Sequence, residues 1–256
     1  MRIGPLAFLF LAGAVVFMPC TYSRAEDFSQ ARTKFYRANT YYSTGEYDQA
    51  VSQYEEIISS GVESGGLYYN LANSYFKKEK LGMAIVNYEK AKRLMPRDSD
   101  LKANYDYAKS LIRGGNFKVR KVWFAAMFEK IFSLFTIDAL NLWASLFFTS
   151  ILLTILSGMY FPHVRKYRVI LMSIFSVAFV LSSLAVIHKL SSSGKEAIVI
   201  VEHTDAKFEP FDTATSHFAL YEGTKVHLLS AKDSWCKIER SDKKIGWVKK
   251  TDIDIM

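Results

Sequence analysis

The chain has 256 residues, half of them apolar and 15% aromatic, with a formal net charge of +8. That composition excludes bulk disorder and leaves room for two modest soluble domains beside a membrane unit. The basic excess is mild, spread along the chain and not interleaved with aromatic motifs, so no nucleic-acid partner is expected.

Residues 1–25 have the pattern of a secretory signal peptide. Arg2 supplies the positive start, residues 4–18 carry no charge, and Ser23-Arg24-Ala25 offers small residues where a signal peptidase reads. Cys20 admits a lipoprotein alternative, although Phe17-Met18-Pro19 is a poor lipobox. An uncleaved anchor is the other alternative and gives the same outward topology. Cleavage after Ala25 leaves Cys236 as the single cysteine, so no intramolecular disulfide is expected.

Between residues 31 and 98 the chain repeats itself. Ala38 and Ala72, Asn39 and Asn73, Tyr41 and Tyr75, Ala50 and Ala84, and Tyr54 and Tyr88 each lie 34 positions apart, the period of tetratricopeptide repeats. Small residues at Ala38, Ala72, Ala50 and Ala84 let two antiparallel helices approach closely, and the tyrosines fill the space around them. Gly45-Glu46-Tyr47 makes the first repeat's turn and Pro96 ends the second repeat. A further helix, capped at Asp98-Ser99-Asp100, carries Leu101, Tyr105 and Leu111 on one side and would cover repeat two until Gly114-Gly115 stops it. The predicted repeat domain is 27–113.

The first helix of each repeat lines the concave face. Here it would present Arg32, Phe35, Asn39 and Tyr42, then Tyr69, Asn70, Asn73 and Phe76, with Asn104 added by the capping helix. Asn39 and Asn70 occupy the places of the amides in carboxylate-clamp tetratricopeptide domains, which this arrangement resembles. Phe35, Asp100 and Asn104 stand where that clamp has cations. Amides bond a peptide backbone, whereas a terminal carboxylate wants cations. The pattern therefore predicts a groove for an extended or helical peptide. The alternative is a wet surface that its asparagines merely solvate.

From 118 to 135, Val119, Trp123, Phe124, Met127, Phe128, Ile131, Phe132 and Phe135 form a helical stripe opposite Lys118, Arg120, Lys121, Glu129 and Lys130. An amphipathic helix over 116–136 lying in the bilayer interface is expected, with packing on the repeat domain as the alternative. Residues 139–164 run 26 positions without Asp, Glu, Lys or Arg, and 169–188 give another 20. Each is long enough to cross a hydrocarbon core. A transmembrane hairpin over 138–189 follows, its loop Arg165-Lys166-Tyr167-Arg168 marking the cytoplasmic side. With the signal, this puts both soluble domains on the outer, periplasmic side of a bacterial inner membrane. Neither span carries the charges that mark a transport path.

Ser191-Ser192-Ser193-Gly194 reads as a short linker. Beyond it, 197–201, 225–229, 235–239 and 245–249 read as strands, separated in part by the turn signals Glu222-Gly223-Thr224, Ala231-Lys232-Asp233 and Ser241-Asp242-Lys243. A small barrel over 195–256 is predicted. The order Glu222-Gly223-Thr224-Lys225-Val226, Trp235-Cys236-Lys237-Ile238, Gly246-Trp247-Val248 resembles bacterial SH3-like domains, which often bind cell-wall peptides or other proteins. Tyr221, Trp235 and Trp247 are candidates for an aromatic recognition surface, with the core as the alternative for either tryptophan. Cys236 shares a face with Ile238 and is expected to be buried.

A thiol peptidase needs its cysteine near a histidine, commonly at a helix start, and Cys236 sits in a predicted strand. The five histidines show no metal-ligand spacing, and neither a phosphate-cradling loop nor a nucleophile elbow is present. No enzyme, cofactor or metal site is expected. The predicted fold is multi-domain: an α-helical tetratricopeptide solenoid, a two-helix transmembrane hairpin and a small all-β SH3-like barrel.

Three stretches carry a further likeness: Tyr68-Tyr69-Asn70-Leu71-Ala72-Asn73-Ser74-Tyr75, Ala84-Ile85-Val86-Asn87-Tyr88-Glu89-Lys90-Ala91 and Arg93-Leu94-Met95-Pro96-Arg97-Asp98. With the C-terminal motifs above, their order resembles the BatE-type proteins of the Bacteroides aerotolerance (Bat) group. The resemblance implies an envelope scaffold in oxidative-stress tolerance, with partners among other membrane or periplasmic proteins, including von Willebrand factor A-domain Bat proteins and a MoxR-type ATPase. The alternative is a peptidoglycan-binding protein that recruits a cell-wall enzyme.

Overall fold

The computed structural model describes residues 22–113, 123–160, 162–192 and 194–256. Most of the expected signal, and the start of the expected interfacial helix, lie outside the described residues. The chain divides into two compact units, Met1–Glu63 and Ser64–Met256.

The first unit holds an antiparallel pair, α1 (Tyr22–Ser43) and α2 (Tyr47–Ser59). Gly45 turns the chain at a φ of 83°, a left-handed backbone that glycine adopts without steric cost. Ala38 and Ala50 are fully buried, which is why the helices pack closely at that point. Lys34 holds Glu56 across the pair at 2.5 Å and pulls its carboxyl below the ordinary range.

The second unit begins with the same device. Ser64 accepts a hydrogen bond from the backbone of Leu67 at 3.1 Å and so caps α3 (Gly65–Lys77). α4 (Leu81–Leu94) returns against it with Ala72 and Ala84 fully buried, and stops just before Pro96, whose ring cannot continue a helix. Asp98 caps α5 (Ser99–Ser110) by accepting from Leu101 at 2.8 Å. The buried stripe of α5 is Leu101, Tyr105 and Ala108. Leu111 lies past the end of that helix and is exposed, so it does not belong to the stripe predicted for it.

Three helices follow: α6 (Trp123–Ser133), α7 (Ile137–Tyr160) and α8 (Pro162–Ser192). Within the last two, Ile137–Gly158 and Lys166–Ser191 are long and apolar enough to cross a membrane. Several of their hydroxyls bond back inside the helix: Thr154 donates to the carbonyl of Ser150 at 2.7 Å and Ser182 to that of Ala178 at 2.9 Å. Such back-bonding suits an apolar surround. Phe148 meets Phe179 across the pair at 5.9 Å. The expected basic loop is not a loop: Arg165, Lys166, Tyr167 and Arg168 lie in the opening turns of α8, because Pro162, with its φ preset, starts that helix early. Ser191 and Ser192 likewise end α8 instead of forming a linker.

The C-terminal domain is a seven-stranded antiparallel sheet in the order β3-β2-β6-β5-β4-β1-β7. Its strands are β1 (Glu196–Val199), β2 (His203–Lys207), β3 (Ser216–Tyr221), β4 (Lys225–Lys232), β5 (Trp235–Arg240), β6 (Ile245–Lys249) and β7 (Ile253–Ile255). The alternation of inward residues builds one core from Val199, Ala206, Phe218, Leu220, Val226, Cys236, Ile238 and Val248. Burial pushes the Cys236 thiol pKa up, so this cysteine is an inert core residue. Arg240 closes one end. It is buried, sits over the Phe218 ring at 4.6 Å, and clasps Asp242 at 3.0 and 2.8 Å. The guanidinium holds the Asp242 carboxyl at a pKa of about 2.

Candidate interaction site

Two tyrosine–asparagine pairs recur at the repeat spacing. Tyr54 donates its hydroxyl to Asn39 Oδ1, and Tyr88 to Asn73 Oδ1, each at 2.6 Å. Both tyrosines are buried, and a buried phenol needs an acceptor. Asn39 and Asn73, expected to face a groove with their amides, thus spend their side-chain oxygens on the interior of their own helix pair.

In the first unit, Arg32 is exposed with its guanidinium over the Tyr36 ring at 5.7 Å. Phe35 packs on Tyr54 at 5.9 Å, and Tyr42 on Tyr47 at 5.5 Å. In the second unit, Asn104 donates to the Tyr69 hydroxyl at 2.8 Å and to Asn73 Oδ1 at 3.2 Å. Tyr69, Asn73 and Asn104 are therefore brought together, and they stitch α5 to α3. Phe76 packs on the exposed Tyr107 at 5.8 Å. Asn70 is half-buried on α3, one turn before Ser74, whose hydroxyl donates to the Asn70 carbonyl at 2.9 Å.

This is a repeat architecture at the level of hydrogen bonds. A family model of the tetratricopeptide repeat matches residues 22–60 and 66–98. No curated protein matches the chain. Tetratricopeptide repeats are a non-catalytic fold that mediates protein–protein interaction, so this portion of the chain is an interaction scaffold.

On the C-terminal domain the three aromatic candidates part company. Tyr221 is half-buried, edge-on to His203 at 5.5 Å. Trp247 is half-buried beneath Lys237, whose ammonium sits 5.9 Å from the ring. Trp235 is only 7% exposed, which withdraws it from any recognition surface. Strand pairing explains this: Trp235 lies opposite Lys249, and the ammoniums of Lys207 and Lys249 each sit 5.8 Å from its ring. Lysine stems cover the indole while both ammoniums reach Asp212, Lys249 its carboxylate and Lys207 its carbonyl. Phe208 and Phe211, after β2, are the exposed aromatics that the sequence reading missed. Their signal was Phe208-Glu209-Pro210-Phe211-Asp212, a turn composition flanked by two phenylalanines.

The junction between α4 and the sheet was also missed. The backbone of Gly82 donates to Glu222 Oε1 at 2.8 Å, and a Cβ on Gly82 would lie 2.6 Å from the Val199 carbonyl oxygen. Gly223, at a φ of 82°, lies where a Cβ would meet Ile85 Cδ1 at 2.6 Å. Beside these close approaches lies an ion cluster. Lys225 bonds Glu89 at 3.2 Å and Glu196 at 2.8 Å, and the Tyr105 hydroxyl donates to Glu89. Burial raises the Glu89 pKa, but attraction from Lys225 and Lys92 and the Tyr105 hydrogen bond outweigh it, so the carboxyl is held below its ordinary range and stays ionised. Burial lowers the Lys225 pKa, and Glu89 and Glu196 more than reverse it. The available signal was a glutamate on the apolar face of α4, one turn after Ile85.

At the other end, Arg97 donates to the Leu134 carbonyl at 3.0 Å and lies over the Phe135 ring at 4.8 Å. Lys189 of α8 donates to the Phe135 carbonyl. The second repeat thus touches both the sheet and the foot of the apolar helices.

Proposed function

We propose that this chain is a non-enzymatic scaffold anchored in a bacterial inner membrane, presenting tetratricopeptide repeats and an SH3-like domain on the periplasmic side. The observation that carries this is the double attachment of the second repeat, to the sheet through Glu89 and Lys225 and to the base of the apolar helices through Arg97. Such a unit holds a binding surface at a fixed height above a bilayer. On α6, Trp123, Met127 and Ile131 are exposed, which suits a helix resting in the membrane interface.

Resemblance to the Bat group supports a place in an oxidative-stress system, beside membrane proteins with von Willebrand factor A domains. A second function, gripping peptidoglycan, draws support from the exposed Phe208 and Phe211 and from Trp247 beneath Lys237. Purified sheet domain that sediments with sacculi would favour that second function over the first.

The scaffold function is tested by crosslinking in native membranes with two variants. Asn70→Ala is expected to keep the fold and to weaken partner capture by roughly five- to tenfold, the loss of about one amide contact. Asn73→Ala is expected to lower stability itself by about 1–3 kcal/mol, since it removes the Oδ1 that accepts from the buried Tyr88 hydroxyl. Full partner capture by Asn70→Ala would remove this face from the mechanism.

A further inference from the structure

Beside the Glu89 cluster lies a cavity of about 300 Å³, lined by Ile85, Lys92, Tyr105, Lys109, Ile112 and their neighbours on the sheet. Its lining holds three cations, Lys92, Lys109 and Lys225, against one acid, Glu89. Lys225 is already matched by Glu89 and Glu196. The other two form no direct salt bridge among the described residues, and Lys92 acts on Glu89 only by attraction from farther off. Their ammoniums instead sit over the Tyr105 ring, at 5.2 and 4.9 Å. Tyr105 is buried and fixed by its bond to Glu89, so the cations share a rigid platform. Thr224 and Ser241 add hydroxyls at the rim, and Ile85 and Ile112 add apolar surface.

We propose that this pocket receives an acidic peptide segment of a partner protein, with Lys92 and Lys109 pairing its carboxylates and Ile85 and Ile112 taking an adjoining apolar side chain. The proposal rests on the scaffold function above and names the chemistry of its partner. Charge complementarity supports it, as does size, since peptide side chains fit a cavity at the lower end of ligand-site volumes. The apolar surface favours a peptide over a bare anion. Pairing lysines with acids across an interface selects partners by charge.

The test uses the full chain in phosphatidylcholine nanodiscs and a fluorescein-labelled peptide, Asp-Glu-Leu-Glu-Asp, followed by anisotropy. The amide peptide Asn-Gln-Leu-Gln-Asn is expected to bind at least about tenfold more weakly. Lys92→Gln with Lys109→Gln should lower affinity for the acidic peptide by about tenfold, and Lys92→Arg with Lys109→Arg should retain it. Unchanged melting of both double variants separates charge loss from misfolding. Equal binding of the two peptides, or full binding by the glutamine variant, overturns the proposal. So does displacement of the peptide by inorganic phosphate or by phosphatidylglycerol vesicles at matched charge, which would make the pocket a phosphate or lipid site. If the glutamine variant captures partners normally in native membranes while Asn70→Ala does not, the pocket falls and the scaffold function stands.

Discussion

Ala84→Leu is expected to destabilise the second helix pair strongly. Ala84 is fully buried against α3, as is Ala72 opposite, and the helices approach there because neither side chain extends beyond a methyl group. Three extra carbons have no space to enter, and α4 must move away from α3. Overpacking of a tight core costs about 1–3 kcal/mol and sometimes more. The effect here should reach the top of that range. α4 also carries Gly82, Ile85 and Glu89 to the sheet, so a displaced α4 breaks the junction too. Thermal melting of the full chain should show the transition lowered by several degrees, with protease cleavage appearing first between residues 94 and 99. Ala103→Leu, on the exposed side of α5, should leave the melt unchanged. Equal melts for the two variants would refute close packing at Ala84.

Removing one member of the Glu89–Lys225 pair is expected to have the second large effect. Lys225→Met leaves a buried carboxylate facing Tyr105 without its nearest cation. Breaking a buried pair one-sidedly costs roughly 3–5 kcal/mol, and the partial exposure of Lys225 puts the expectation near the lower end. Glu89→Gln with Lys225→Met should recover much of that loss, since the buried carboxylate goes with its cation and Glu196 keeps Arg93 at 3.5 Å. The pH dependence has a definite sign. Glu89 has a folded pKa below its unfolded value, so its stabilisation is complete above the ordinary carboxylate range and disappears as pH falls through the lower folded value. Denaturant unfolding of the wild type should weaken in that acid window, and the slope should be shallower in Glu89→Gln. An identical acid slope in the two proteins would show that Glu89 is not held ionised by the fold.

Much of the architecture was legible in the sequence because it is written in spacings. The 34-residue recurrence of Ala, Asn and Tyr gave the helix pairs, and two long uncharged stretches gave α7 and α8. What spacing does not encode is what a polar group bonds to. Asn39 and Asn73 look the same whether an amide faces a peptide or an oxygen holds a buried tyrosine. The strands β2 and β3 escaped because His203–Lys207 is half-polar and Ser216–Tyr221 follows a loop rich in turn formers. Trp235 went wrong for a related reason. Strand alternation puts it on the outward side, but only strand pairing reveals that Lys207 and Lys249 cover it. The α4–sheet junction joins residues more than a hundred positions apart, such as Gly82 and Glu222, and a single sequence carries no trace of so distant a contact.

In the proposed function the α7–α8 hairpin holds the repeats and the sheet on the same, outer face of a membrane. Alkaline phosphatase fusions read this directly, because the enzyme is active only outside the cytoplasm. A fusion after Leu190 is expected to be active and a fusion after Lys166 inactive, since basic residues such as Arg165, Lys166 and Arg168 at the start of α8 favour the cytoplasmic side. Activity after Lys166 with none after Leu190 would contradict the topology and, with it, the scaffold on the outer face.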